Sequence, residues 1–208
     1  MLKWIIAGEL ILLVVMTGLA ARRYFHHMPR AAATVGRPKR AIPFATRWTA
    51  EPLDRPASPR VRICKSAHVM TVFDGEVAVK SYRVAVGGGR GDKVREGDQC
   101  TPEGEFYICV KNPRSRYVRS LGLSYPDEAD AARGLRDGLI TRREHDAIVR
   151  AVRRKGCPPW DTALGGEIMI HGCRDERDWT LGCIAMDDPD IREVYPALPV
   201  GTPVTIVP

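Results

Sequence analysis

Two side chains in this 208-residue sequence have the type and setting for covalent chemistry: His171 and Cys183. His171 precedes Gly172, so its ring can project from the end of a strand into a loop. Twelve residues on, Thr180-Leu181-Gly182-Cys183-Ile184 sets a cysteine after a glycine in a tight turn. Such a cysteine is sterically accessible. The turn that Thr180 opens can aim the backbone amides of Gly182 and Cys183 at a developing oxyanion. A thiol becomes a strong nucleophile at neutral pH when a base stands beside it, and an imidazole has the pKa for that role. The chemistry is thiolate attack on a carbonyl, with Cys183 as nucleophile and His171 as base. From spacing alone, a structural histidine and a structural cysteine remain the alternative.

The elements that must hold this pair read as a hairpin-rich sheet with a helical insertion. Period-two alternation starts at Val61. HVMTVF, residues 68–73, meets EVAVKSYRVAVG, residues 76–87, across Asp74-Gly75, the strongest short-range hairpin signal. EGEFYICV at 103–110, introduced by Thr101-Pro102, then GEIMIHG at 166–172 and VTIVP at 204–208, read as further strands. Residues 127–155 are helical in character: Thr141 and Glu144 form a capping box, Ile148, Val149 and Val152 an apolar stripe, and Gly156 with Pro158-Pro159 a stop. Hairpins without βαβ units predict an α+β or mostly-β domain over residues 61–208.

Charge distribution narrows the function classes. The net charge is +7, yet residues 1–60 hold ten Lys/Arg against three Asp/Glu, and residues 61–208 hold twenty-two of each. A neutral body lacks the basic face of a nucleic-acid binder. GGGRGD, residues 87–92, lacks the Lys-Ser/Thr of a phosphate cradle and leads into no helix. The six cysteines, at 64, 100, 109, 157, 173 and 183, form no CxxC pair, so neither a metal nor a cofactor is expected. Cys100 with Cys109, and Cys157 with Cys173, are the first disulfide pairs to consider, with connectivity left open.

The run HG…TLGCIAM resembles the active-site signature of YkuD-type L,D-transpeptidase domains, a His-Gly followed by Ser/Thr-x-Gly-Cys-Ile/Val. VFDGEVAVKSYRVAVG, EGDQCTPEGEFYI, the SLGLSYP turn and LPVGTPVTIVP are similar to further segments of that family, so the resemblance covers residues 61–208. It implies a β-rich fold and an enzyme acting on peptidoglycan stem peptides. Cys183 would attack the carbonyl joining the diamino acid to D-Ala, and His171 would shuttle the proton. The acyl-enzyme would pass to an amine, giving a 3→3 crosslink or an attached lipoprotein, or to water. One residue departs from the pattern: Ala185 stands where family members usually carry Arg. With Asp178-Trp179 ahead of it, TLGCIAM is more similar to the YafK-like subgroup, which includes hydrolases that release attached protein. Weaker candidates are Tyr125 and Trp179 as groove-lining aromatics, Arg174 and Arg177 as partners for stem-peptide carboxylates, and Asp178 as an orienter of His171.

The N-terminal part reads as an appendage. Trp4 to Ala21 is apolar but for Glu9, and eighteen residues at 1.5 Å rise span ~27 Å, about one hydrocarbon thickness. Residues 1–21 are therefore expected to be a signal or anchor segment, and the basic, six-proline stretch 22–60 a linker. The basic residues after the apolar run favour a cytoplasmic body by the positive-inside rule. The resemblance requires the opposite side, the periplasmic face of a bacterial envelope, and takes precedence.

Overall fold

The computed structural model describes residues 47–175 and 178–208; the expected membrane segment and most of the expected linker lie outside them. Among the described residues no helix is long and apolar enough to cross a membrane. The described residues form ten strands: β1 Pro59–Cys64, β2 Val69–Asp74, β3 Val77–Arg83, β4 Val86–Gly87, β5 Gly104–Asn112, β6 Ser120–Leu123, β7 Met169–His171, β8 Trp179–Thr180, β9 Ile184–Ala185 and β10 Pro203–Val207. Among the described residues three helices accompany them: α1 Glu128–Arg136, α2 Arg142–Arg153 and α3 Asp188–Ala197. Eight strands make one mixed sheet in the order β3-β2-β1-β10-β5-β6-β7-β9, and β4 with β8 make a small parallel pair. The β1–β10 and β7–β9 pairings are parallel; the others in the large sheet are antiparallel. Ala185 on the β9 edge exchanges two 2.9 Å hydrogen bonds with Ala85, just after the opposite edge strand β3.

The β2–β3 hairpin forms where the sequence places it, with its loop moved one residue on. Asp74 pairs with Val77, so Gly75 and Glu76 are the loop, and Gly75 takes the positive φ (+56°) that such a turn requires. The helical insertion resolves into two helices, and the Thr141–Glu144 capping box is present. An unanticipated second box, Asp127 with Asp130, starts α1. SLGLSYP contains a strand: β6 lies between β5 and β7 with all four residues buried, so it shows no alternation. Helix α3 was also unanticipated, and its Ile191 and Val194 enter the main core beside Leu121 and Leu123. A smaller core of Ala131, Ile140, Ile148 and Leu164 fixes α1 against α2.

Two expectations are corrected. The disulfide joins Cys109 in β5 to Cys157 after α2, with Cα atoms 5.2 Å apart; Cys100 and Cys173 are free. Nor does the linker run unattached to residue 60. Arg47 and Ser81 exchange backbone and side-chain hydrogen bonds of 2.7 and 2.9 Å, and Leu53 packs on the main core.

Candidate active site

Strand pairing brings the two candidate catalytic residues together. In the β7–β9 ladder Ile170 faces Ile184 and His171 faces Ala185. Side chains alternate with period two, so Cys183, immediately before β9, shares the face of Ala185 and His171. A strand spacing of ~4.8 Å and two rises of ~3.3 Å put His171 and Cys183 about 8 Å apart at Cα, a diagonal that two side chains leaning together can bridge.

His171 is 7% exposed, and its Nδ1 lies 2.6 Å from the Gly172 carbonyl. Donation of Nδ1–H to that oxygen leaves Nε2 as the basic nitrogen. Thus the Gly172 carbonyl orients the ring. Asp178 does not: it pairs with Arg174 at 3.2 Å and His68 at 3.5 Å. The Tyr117 ring stacks on the imidazole with centroids 4.5 Å apart. Burial lowers the His171 pKa, and the Gly172 hydrogen bond opposes this. Half-buried Cys183 donates its thiol to the Glu167 carbonyl at 3.5 Å. Burial raises its pKa, opposed by the Met169 amide that faces the sulfur. Both shifts disfavour charge. Burial thus favours the uncharged thiol and the uncharged imidazole.

The turn before Cys183 is held by two threonine hydroxyls. Thr180 Oγ1 donates to the Cys183 carbonyl at 2.6 Å and accepts from the Gly182 amide at 3.1 Å. Of the groups expected to face an oxyanion, the Gly182 amide is thus bound to Thr180 and the single Thr180 hydroxyl proton is committed to the Cys183 carbonyl. Thr101 Oγ1 donates to the Gly182 carbonyl at 2.9 Å and accepts from the Gly87 amide at 2.7 Å. Gly182 has φ +132°, and a Cβ there would stand 2.9 Å from the Cys100 carbonyl, so glycine is required.

The remaining candidates divide. Trp179 is 44% exposed and lies beside Gly88, next to the turn, where a ligand can reach it. Tyr125 is fully buried, its hydroxyl donating to the Leu164 carbonyl at 3.1 Å, so it lines no groove. Arg174 grips Asp187 through Nε (3.0 Å) and Nη2 (3.1 Å) and Asp178 through Nη1 (3.2 Å), so each of its three nitrogens already holds a carboxylate oxygen of its own loop. Arg177 lies outside the described residues. Thr101, Tyr117 and Glu167 were missed: Thr101 was read only as a turn residue, and nothing local marks the other two. Among the described residues no three His, Cys, Asp or Glu side chains converge as a metal ligand set.

The family model for the YkuD L,D-transpeptidase catalytic domain matches residues 58–206. No curated protein matches the sequence with significance. Among solved structures, the chain is similar to the helical cell shape determining protein Pgp2 from Campylobacter jejuni, at 22% identity and TM-score 0.51, covering 72% of this chain and 47% of that one. A variant of the same protein gives 22% identity and TM-score 0.52, covering 73% and 47%. The L,D-transpeptidase from Xylanimonas cellulosilytica gives 13% identity and TM-score 0.45, covering 75% and 63%. The chain thus spans about half the length of the Campylobacter structures, and at that identity the likeness concerns the fold. With the family match running over all but the last residue of the sheet and through both His171 and Cys183, the chain belongs to the YkuD family of L,D-transpeptidase catalytic domains.

Proposed function

We propose that this chain is a peptidoglycan L,D-transpeptidase working through a Cys183 acyl-enzyme. The observation that carries the reading is the β7–β9 pairing, which supports Cys183 and a Nδ1-anchored His171 acting on one face. His171 Nε2 takes the thiol proton as sulfur attacks the carbonyl that joins the stem diamino acid to D-Ala. The Cys183 amide receives the oxyanion. The C–N bond then breaks, His171 returns the proton to the departing D-Ala amine, and a thioester remains. An acceptor amine attacks the thioester, His171 takes its proton, the C–S bond breaks and the thiol is restored. An amine on a second stem gives a crosslink, and one on an envelope lipoprotein gives protein attachment.

Hydrolysis is the second reading, and Ala185 favours it. Buried and bridged to Ala85, this residue puts only a methyl group opposite His171, where relatives usually carry a guanidinium. Water would then resolve the same thioester, in the manner of the YafK-like subgroup. The Cys109–Cys157 disulfide supports an oxidising compartment outside the cytoplasm, and the apolar run at 4–21 supports delivery to the membrane.

Intact mass spectrometry with tetrapeptide muropeptides, on wild type and Cys183→Ala in parallel, tests both readings. A covalent adduct on wild type alone, with release of D-Ala, is the expected result; dimeric or hydrolysed products then separate the two outcomes. An intact fold with a reactive thiol and no adduct would refute the assignment.

A further inference from the structure

Thr101 lies 81 residues before the Gly182 carbonyl it contacts and is fully buried. A hydroxyl carries one proton and can also accept, and both capacities are used here: acceptance from Gly87 N–H, donation to Gly182 C=O. The Thr101 backbone is itself held, since buried Lys65 donates Nζ–H to its carbonyl at 2.8 Å. On the other side of the network, Gly87 is the ladder partner of Thr180 in the β4–β8 pair. The two threonines therefore bind three of the four backbone polar groups of Gly182 and Cys183: the Gly182 N–H, the Gly182 C=O and the Cys183 C=O. The fourth is the Cys183 N–H. In a planar trans peptide the carbonyl and the following N–H point in opposite directions. Pinning the Gly182 carbonyl on Thr101 thus aims the Cys183 amide away from Thr101, across the turn.

We propose that Thr101 is a positioning residue for acyl transfer at Cys183: its hydroxyl fixes the Gly182–Cys183 peptide so that the Cys183 amide meets the oxyanion. The proposal rests on the acyl-enzyme reading above. Loss of the hydroxyl weakens carbonyl attack while leaving the intrinsic reactivity of the thiol unchanged, a split that a merely structural role would not produce.

The test uses the disulfide-containing chain with Thr101→Val, Thr101→Ala and Thr101→Ser. Two rates are read on the Cys183 peptide by mass spectrometry. Alkylation by iodoacetamide displaces iodide at a tetrahedral carbon and forms no oxyanion. Acylation by p-nitrophenyl acetate passes through a tetrahedral oxyanion, then breaks the ester C–O bond and expels p-nitrophenolate. The expected result is a fall of about 10–100-fold in acylation relative to alkylation for Val and Ala, because misaiming an oxyanion donor by about 1 Å costs up to ~10²-fold. Serine retains both hydrogen bonds and restores the wild-type ratio. Should valine prevent folding, alanine and serine carry the same comparison. An unchanged ratio in Val and Ala, or no recovery with serine, overturns the proposal. A wild-type thiol that alkylates normally but resists the aryl ester also overturns it, because no oxyanion-binding turn would exist. Ester acylation without reaction on tetrapeptide removes the substrate reading alone, and the Thr101 comparison then stands on the ester rates.

Discussion

Replacing Cys109 and Cys157 together by alanine removes a cross-link between β5 and the segment after α2 whose partners are 48 residues apart. The closed loop contains β6, α1 and α2, and cross-linking restricts the unfolded chain far more than the folded one. For a loop of 48 residues, the chain-entropy relation gives about 4 kcal/mol at 25 °C. Little buried surface offsets this figure, since Cys157 is exposed and Cys109 only half-buried. In a domain of this size each kcal/mol is worth ~2–4 °C, so the melting temperature should fall by about 8–16 °C. Urea unfolding followed by circular dichroism reads the loss directly, and the m-value should rise because the released chain exposes more surface. His171 and Cys183 both lie outside the closed loop. Acylation of Cys183 at a temperature where the variant is folded should therefore match wild type. A loss of less than about 1 kcal/mol would refute the loop argument, because the sequence separation would then not govern the stabilisation.

Four further outcomes are expected. Burial holds the Cys183 thiol above its ordinary 9.0 and His171 below its ordinary 6.5, so iodoacetamide alkylation should still be climbing at pH 9 and acylation should persist below pH 6.5. The unfolded chain binds the extra proton at His171 and releases one sooner at Cys183. Folding stability measured by urea titration should therefore fall as pH drops below 6.5 or rises above 9.0; flat stability across both windows would contradict the burial of the pair. Tyr117→Ala uncovers the imidazole and should move the acid limb of the acylation profile to higher pH, whereas Tyr117→Phe keeps the stack; identical profiles for the two would refute the role of the ring. Arg174→Ala should cost about 1 kcal/mol, since both its carboxylate partners are half exposed, and should leave KM for stem peptide unchanged; a raised KM at unchanged stability would make Arg174 a substrate residue.

The local settings of His171 and Cys183 were legible: a strand that ends at His171 before glycine, and a glycine turn just before Cys183. The β2–β3 hairpin and the α2 capping box were legible for the same reason. What escaped depends on contacts between distant segments. Thr101 reaches Gly182 across 81 residues, and no local pattern marks a threonine before proline as anything but a turn. Tyr125 sits in a Ser-Tyr-Pro segment that suggests exposure, yet its ring is buried against Phe106. Cys100 and Cys109 flank one strand start and invited pairing. Instead Cys100 turns its sulfur onto the Arg90 and Asp98 carbonyls, and Cys109 meets Cys157, which α2 delivers. Helix α3 did carry a signal, Asp188-Pro189 at its start, obscured by Pro196 at its end.

Strand β10 follows every other described strand and helix in sequence, yet it lies in the middle of the large sheet, between β1 and β5. Without it the ladder divides into a β3-β2-β1 meander and a separate β5-β6-β7-β9 sheet that bears His171. A chain emerging from its N-terminus cannot close that ladder until residues 203–207 are free to insert. Closure of the sheet is thus held until β10 has been made, and the intermediate stage consists of two half-sheets with open facing edges. Any process that must handle this chain unfolded, such as threading through a pore, has a window in which the finished core cannot yet form.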